Sequence, residues 1–83
     1  CLGLDLERGA SEGFEQQAIY KELLIQISDK VTLLVDSSKI NSHSEYYFSN
    51  MKNITCIMTD SGIQSSAVSQ IVDLGIDLKV AAI

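Results

Sequence analysis

A polar tetrapeptide, DSSK at positions 36–39, follows the apolar run VTLLV with no residue in between. The carboxylate of Asp36 could accept hydrogen bonds from ligand hydroxyl groups, and the hydroxyls of Ser37 and Ser38 could both donate and accept them. The ammonium of Lys39 is a compact cation that suits a phosphate or another anion. The same four residues could instead satisfy backbone groups where a strand ends, with Lys39 in solvent. DSSK is therefore a candidate binding segment that also has a purely structural interpretation.

Two other acids stand at the end of apolar runs. Asp60 lies in the TDS turn after ITCIM, and Asp5 follows LGL near the start of the chain. Asp60 or Ser61 could cap the helix that follows, or the amide groups of that turn could hold an anion at the helix N-terminus. Asp5 could equally be an exposed loop acid. Both acids are kept as candidate ligand-binding residues.

The elements that would position these residues alternate between strands and helices. Apolar runs without alternation are typical of strands buried on both faces of a parallel sheet, and apolar residues at helical spacing predict two helices. EYYFSNM at 45–51 could be a helical turn or a short strand with Tyr46 and Phe48 on one face, and we interpret it as a short edge strand. LERGASEG at 6–13, with two glycines, is predicted as a loop. The other predicted strands are 1–5, 31–35, 54–59 and 77–83, and the predicted helices are 14–28 and 63–74.

Four residues predict where the helices begin and end. Ser11 is the predicted N-cap of the first helix. Ser61 and Gln64 form a capping-box pattern before the second helix. Gly75 stands where the residue after a helix C-terminus is expected.

This order of elements predicts an α/β fold in three layers, with a mostly parallel, Rossmann-like sheet and right-handed crossovers. Ligands of open parallel sheets bind outside the carboxyl ends of the strands. Asp5, the DSSK segment and the TDS turn all follow strand ends. We therefore expect one edge of the sheet to carry all three.

Composition limits the class of protein. The 83 residues make at most one small domain or part of a larger one, and the net charge of −5 argues against direct binding to a nucleic acid backbone. Two distant cysteines give no disulfide framework, and neither a signal peptide nor an apolar run of about 20 residues occurs, so a cytoplasmic protein is expected. His43 has no partner at ligand spacing, and no metal or cofactor is predicted. Lys21 is either a surface charge or a side chain that reaches water along apolar surface.

Together these motifs resemble the C-terminal sensor domain of DeoR-family transcriptional regulators. The motifs that carry the resemblance are GxD at Gly3 and Asp5, Gly9, Ala18 and Lys21 in the first helix, DxSK at 36–39 and TD at 59–60. The resemblance covers essentially the whole chain but only the later half of the family's sensor domain. It implies the fold of ribose-5-phosphate isomerases and glucosamine-6-phosphate deaminases. Residues 1–83 would then be the C-terminal part of an effector sensor domain in a longer polypeptide, without the DNA-binding domain.

The resemblance also implies a function. The chain would be the effector-binding part of a repressor of sugar catabolism, and the effector would be a phosphorylated sugar. Asp5, Asp36 and Lys39 would line the pocket, with Lys39 as the anion contact, and Ser38 and Asp60 join them from their positions at the rim. Operator DNA would bind only through a missing N-terminal domain, with no membrane partner. A homo-oligomer is expected, because half a domain leaves apolar faces uncovered.

The chain departs from the family motif at three positions. Leu6 and Asn41 stand where the family has Gly, and Gln17 replaces a Glu.

Two other functions stay open. One alternative is a fragment of a sugar-phosphate isomerase or deaminase on the same fold. The other is a small interaction domain whose rim acids and hydroxyls are only caps. Because the chain offers no general base with a partner, we interpret it as a protein that is not an enzyme.

Overall fold

The structure, a computed structural model, describes residues 1–82. These residues form strands β1 (Gly3–Asp5), β2 (Gly9–Glu12), β3 (Thr32–Leu34), β4 (Tyr46–Ser49), β5 (Cys56–Asp60) and β6 (Asp77–Ala81), and helices α1 (Glu15–Gln26) and α2 (Ser65–Asp73). Single 3-10 turns lie at Ser37–Lys39 and Met51–Asn53. The predicted strands and both helices are confirmed to within a few residues, and residue 83 of the last predicted strand lies outside the described residues.

The strands form two sheets rather than one. Strands β3, β5 and β6 make a parallel sheet in the order β3-β5-β6, whereas β1, β2 and β4 make an antiparallel sheet in the order β1-β2-β4. The fold is therefore mixed α/β, and the predicted mostly parallel, three-layer arrangement is not confirmed. Strand β4 lies at an edge of its sheet, as predicted. Strand β1, which was expected beside the other parallel strands, belongs to the antiparallel sheet.

The predicted loop at 6–13 is wrong, because it contains the central strand of the antiparallel sheet. All four residues of β2 are buried between β1 and β4. Gly9 has φ +122°, and a Cβ added there would lie 1.9 Å from the carbonyl oxygen of Ser49. The glycine thus permits the close approach of β2 to β4, although in the sequence it resembles a loop residue.

The two predicted N-terminal helix caps are wrong. Ser11 lies inside β2, and α1 begins at Glu15 after Phe14, which makes no side-chain cap. Helix α2 begins at Ser65, and its N-cap residue Gln64 makes no side-chain hydrogen bond to the helix, so the predicted capping box does not form.

The predicted end of α2 is confirmed. Gly75 has φ +77°, its N–H donates to the carbonyl of Val72 at 3.0 Å, and the N–H of Ile76 donates to the carbonyl of Ile71 at 3.4 Å. These two hydrogen bonds are the Schellman pattern that a left-handed glycine makes after a helix.

One apolar core joins the two sheets, and the helices use it unequally. Helix α2 packs against β6 and buries Ala67 and Ile71. Helix α1 packs against β4 and β2 but buries only Ala18. The large apolar residues that α1 leaves exposed are Ile19, Tyr20, Leu23 and Leu24, with Ile27 just after it. Among residues 1–82, no helix is both long and apolar enough to cross a bilayer.

Candidate functional site

The parallel sheet brings the ends of β3 and β5 side by side. Leu34 of β3 pairs with Met58 of β5, so Asp36 and Asp60, each two residues further on, leave neighbouring strands at the same edge. The structure thus brings together two of the acids that the sequence places at the carboxyl edge.

Asp60 connects the two loops that follow these strands. Its carboxylate accepts hydrogen bonds from the hydroxyl of Ser37 at 2.6 Å, from the N–H of Ser37 at 3.0 Å and from the N–H of Gly62 at 2.8 Å. The Ser37 hydroxyl, followed by these two amides, lowers the pKa of Asp60 well below its ordinary range. Asp60 therefore stays ionised and holds the loops together. It does not cap α2, which begins five residues later.

Asp36 has a local role in the turn that carries Ser38 and Lys39. Its side chain accepts a hydrogen bond from the N–H of Ser38 at 3.1 Å and so caps the 3-10 turn. This contact matches the structural interpretation of DSSK, in which the acid satisfies backbone groups after the strand. Asp36 nevertheless remains exposed to solvent, so it can also meet a ligand at the rim.

A concave pocket of about 340 Å³ opens between the two loops and the first turn of α2. Its polar lining comes from Ser37, Ser38, Asn41, Gly62 and Gln64, and Ala67 contributes the helix wall. The volume falls within the range of about 300–1,000 Å³ that is typical of ligand sites. Because the α2 N-terminus has no side-chain cap, amide groups of its first turn are available to an acceptor in this pocket.

Gly62 is required for the shape of this site. A Cβ added at this position would lie 2.7 Å from the Ser37 hydroxyl and 2.9 Å from the Oδ1 atom of Asp60. Any larger residue would push apart the hydrogen bond that joins the two loops. The glycine in TDSG therefore has a packing role.

Lys39 lies between two lining residues in the chain, but neither Lys39 nor Asp5 is part of the pocket lining. Lys39 ends the 3-10 turn, is exposed, and makes no ion pair with any residue of the described range 1–82. Strand β1 runs next to the same turn, because the N–H of Asn41 donates to the carbonyl of Leu4 at 2.7 Å.

The carboxylate of Asp5 serves the turn between β1 and β2. It accepts hydrogen bonds from the N–H groups of Glu7 at 2.9 Å and Arg8 at 3.2 Å. These bonds, the one from Glu7 foremost, lower the pKa of Asp5. Because β1 belongs to the antiparallel sheet, the argument from parallel strand ends does not extend to Asp5.

A second charged group was not predicted from the sequence. Glu12 in β2 is only 4% exposed, and its Oε2 atom contacts the ammonium of Lys21 from α1. The Lys21 ammonium also lies 5.3 Å from the centroid of the Phe48 ring, as a cation–π contact. Lys21 is therefore not a free surface charge, although its side chain is still 36% exposed. Nothing in the spacing indicates this pair, because its two residues lie in a strand and a helix nine positions apart.

Comparison with known proteins identifies relatives of the whole segment. A model described as "DeoR C terminal sensor domain" matches residues 1–61. The chain is 32% identical over 73 residues to the uncharacterized HTH-type transcriptional regulator YulB of Bacillus subtilis (strain 168), and 30% identical over 73 residues to the HTH-type transcriptional regulator GlpR of Haloferax volcanii. It is 27% identical over 75 residues to a putative aga operon transcriptional repressor of Escherichia coli O157:H7.

These matches cover most of the chain but a small part of each relative. They span 88%, 88% and 90% of this chain but only 28%, 29% and 28% of the respective relatives. No solved structure matches the chain. Since the family model covers residues 1–61 out of 83, and regulators of transcription match nearly the full segment, the chain belongs to the family of DeoR C-terminal sensor domains.

Proposed function

We propose that this chain is the effector-binding part of a transcriptional repressor and that its effector is a phosphorylated sugar. The pocket between the DSSK turn, the TDSG turn and the uncapped end of α2 carries this proposal. It lies at the carboxyl edge of a parallel sheet, where α/β proteins bind ligands. The membership in a family of sensor domains supports an effector rather than a substrate.

The phosphate group would bind at the rim, where positive charge and free donors are available. Lys39 contributes an exposed ammonium that makes no ion pair within residues 1–82, and α2 contributes the positive end of its dipole. Ser38 and Asp36 would meet sugar hydroxyl groups, while Asp60 would keep the two loops in register through Ser37. Asp5 would act from the adjoining strand, whose neighbour Leu4 is hydrogen-bonded to Asn41.

In the full-length protein the sensor would control DNA binding through linkage. A sugar phosphate that prefers one arrangement of the sensor shifts operator affinity by its differential binding free energy. Couplings of this kind are typically about 1–3 kcal/mol, or roughly 5–150-fold in affinity. The sensor segment has a net charge of −5, so operator contacts would come from another part of the polypeptide, as the HTH-type relatives suggest.

Calorimetry on full-length Lys39→Ala tests the pocket assignment. We expect sugar-phosphate affinity to fall about tenfold, because one charge-assisted contact is lost. Lys30→Ala is the matched control, since Lys30 is an equally exposed lysine just before β3, at the opposite end of the sheet. Equal affinities for the two variants would refute the assignment of the site.

The exposed side of α1 supports a proposal of assembly into homo-oligomers. Ile19 is 51% exposed, Leu23 55% and Ile27 82%, and an apolar patch of this kind on a helix marks a surface that another chain or segment covers. We expect Leu23→Glu to lower the oligomeric state of the full-length protein in light scattering. Glu22→Gln, at the neighbouring exposed position, should leave the molar mass unchanged. An unaltered mass for Leu23→Glu would rule out α1 as the contact between subunits.

A further inference from the structure

Two carboxamide side chains line the pocket without making a hydrogen bond to the described part of the chain. Asn41 lies on the wall formed after β3, and Gln64 lies on the opposite wall, before α2. Within residues 1–82 neither carboxamide makes a hydrogen bond, although the backbone N–H of Asn41 is held by Leu4. Both side chains are exposed. Two groups that each donate and accept hydrogen bonds thus face the same 340 Å³ space from two sides.

Several other polar groups at the pocket are already satisfied. The N–H and hydroxyl of Ser37 and the N–H of Gly62 bind Asp60, and the N–H of Ser38 binds Asp36. Within the described range 1–82, the lining contains no charged side chain. The side chains that remain available inside the pocket are therefore neutral, and they suit the uncharged hydroxyl groups of a ligand better than its anionic group.

The backbone at Asn41 supports a role for its side chain. Asn41 has φ +66° and is the one residue other than glycine with a positive φ among residues 1–82. Glycine adopts this conformation without strain, and the chain uses glycine for it at Gly75, where an added Cβ would meet nothing within 4 Å. At position 41 the chain instead places a side chain that tolerates the conformation and lines the pocket.

We propose that Asn41 and Gln64 determine which sugar this sensor recognises, by hydrogen bonding to ring or chain hydroxyl groups from opposite walls of the pocket. This inference rests on the proposed sugar-phosphate function and adds the residues that set its specificity. The phosphate is held at the rim by Lys39 and α2. The carboxamides form hydrogen bonds to the sugar hydroxyls, so their binding depends on the configuration of the carbon atoms that carry these hydroxyls. A hydroxyl of inverted configuration leaves its carboxamide without a partner, which lowers affinity.

The test compares epimeric sugar phosphates on the full-length protein. The probes are ribose 5-phosphate with its C2 epimer arabinose 5-phosphate, and glucose 6-phosphate with its C2 and C4 epimers mannose 6-phosphate and galactose 6-phosphate. Calorimetry gives Kd for each, and the readout is the ratio of Kd values within each epimer pair. We expect the wild-type protein to discriminate within at least one pair, and Asn41→Gly and Gln64→Ala each to reduce that ratio by about three- to tenfold.

Two controls separate recognition from folding. Asn41→Gly relieves a left-handed asparagine, so its Tm should be at least that of the wild type. Gln70→Ala removes an exposed carboxamide from α2, outside this pocket, and its epimer ratios should equal those of the wild type.

The outcomes distinguish the two proposals. If the wild type discriminates epimers and both variants keep its ratios, the carboxamide inference is overturned and the sugar-phosphate function stands. Binding of sugar phosphates without epimer discrimination likewise overturns the inference alone. If the wild type binds none of the five probes, the proposed function and the inference both fall.

Discussion

Two carboxylates in this small fold are held in opposite ways. Glu12 is buried between α1 and the antiparallel sheet, and its partner is the ammonium of Lys21. Asp60 lies at the edge of the parallel sheet, and its partners are a neutral hydroxyl and two backbone amides. A buried charge needs an opposite charge beside it, whereas a carboxylate near water can be satisfied by neutral donors.

As a result, the lysines near the two carboxylates differ in whether they make an ion pair. At the buried pair the lysine is fully used, because it contacts both Glu12 and the ring of Phe48. At the sheet edge Asp60 takes no cation from its surroundings, so Lys39 is left without an ion pair among residues 1–82. The first arrangement suits stability, and the second is compatible with the proposed contact between Lys39 and an anionic ligand.

The largest effect should come from breaking the buried pair. Lys21→Met removes the cationic partner of the buried Glu12 side chain, which we expect to lower the free energy of unfolding by about 3 kcal/mol, the lower end for such a loss because Lys21 is partly exposed. Urea denaturation of the full-length protein measures this change. Lys30→Met, at an exposed lysine, is the matched control.

A double variant sharpens this result. Adding Glu12→Gln to Lys21→Met removes the unpaired charge, so the double variant should be more stable than Lys21→Met alone. If Lys21→Met is as stable as Lys30→Met, the contact between helix and sheet does not depend on the pair.

A smaller effect is expected from Asp60→Asn, and it should depend on pH. The pKa of Asp60 is lowered in the folded protein from its ordinary 3.8, so its ionised form stabilises the fold above that pH. This contribution is lost as pH falls through the lowered folded pKa. We therefore expect Asp60→Asn to be less stable than the wild type at neutral pH, and the two to converge in urea midpoints as the solution becomes acidic.

Asp73→Asn is the control for the pH series, because Asp73 is exposed in α2 and makes no ion pair among residues 1–82. At neutral pH its urea midpoint should lie closer to that of the wild type than the midpoint of Asp60→Asn does. A difference between Asp60→Asn and wild type that stays constant down to strong acid would contradict the role assigned to the Asp60 carboxylate.

The same comparison shows what the sequence could predict. The edge of the parallel sheet was predictable because strands β3 and β5 are local apolar runs, and parallel pairing by itself brings Asp36 and Asp60 together. The partner of Asp60 was not predictable, since Ser37 lies 23 residues away and serine is common in loops. Local signals thus located the acids but not the hydrogen bonds that fix them.

The antiparallel sheet could not be predicted for a different reason. Strand β2 forms by pairing with β1 and β4. The need for glycine at position 9 comes from its close approach to the backbone of Ser49. Glu12 in that strand falls within the segment predicted as a loop, yet its side chain is buried. Where pairing between distant segments decides the structure, composition indicates the wrong element.

The smallest changes in stability should come from replacing two threonines at β5, whose hydroxyls are neutral polar groups. Thr59 is 4% exposed and its hydroxyl has no hydrogen-bond partner within residues 1–82. The hydroxyl of Thr55, just before the same strand, donates to the carbonyl of Val31 at 2.9 Å and accepts from the N–H of Val31 at 2.9 Å. A buried polar group without a partner lowers stability, and one with partners raises it.

Valine at each position should therefore act with opposite sign. We expect Thr59→Val to raise the free energy of unfolding by about 1 kcal/mol and Thr55→Val to lower it by about 1 kcal/mol. Thermal and urea denaturation of the two variants, measured side by side, compare the same chemical change at two ends of one strand. A loss of stability in Thr59→Val would mean that its hydroxyl has a partner in the full-length protein, and the rule drawn from the two carboxylates would then extend to this position as well.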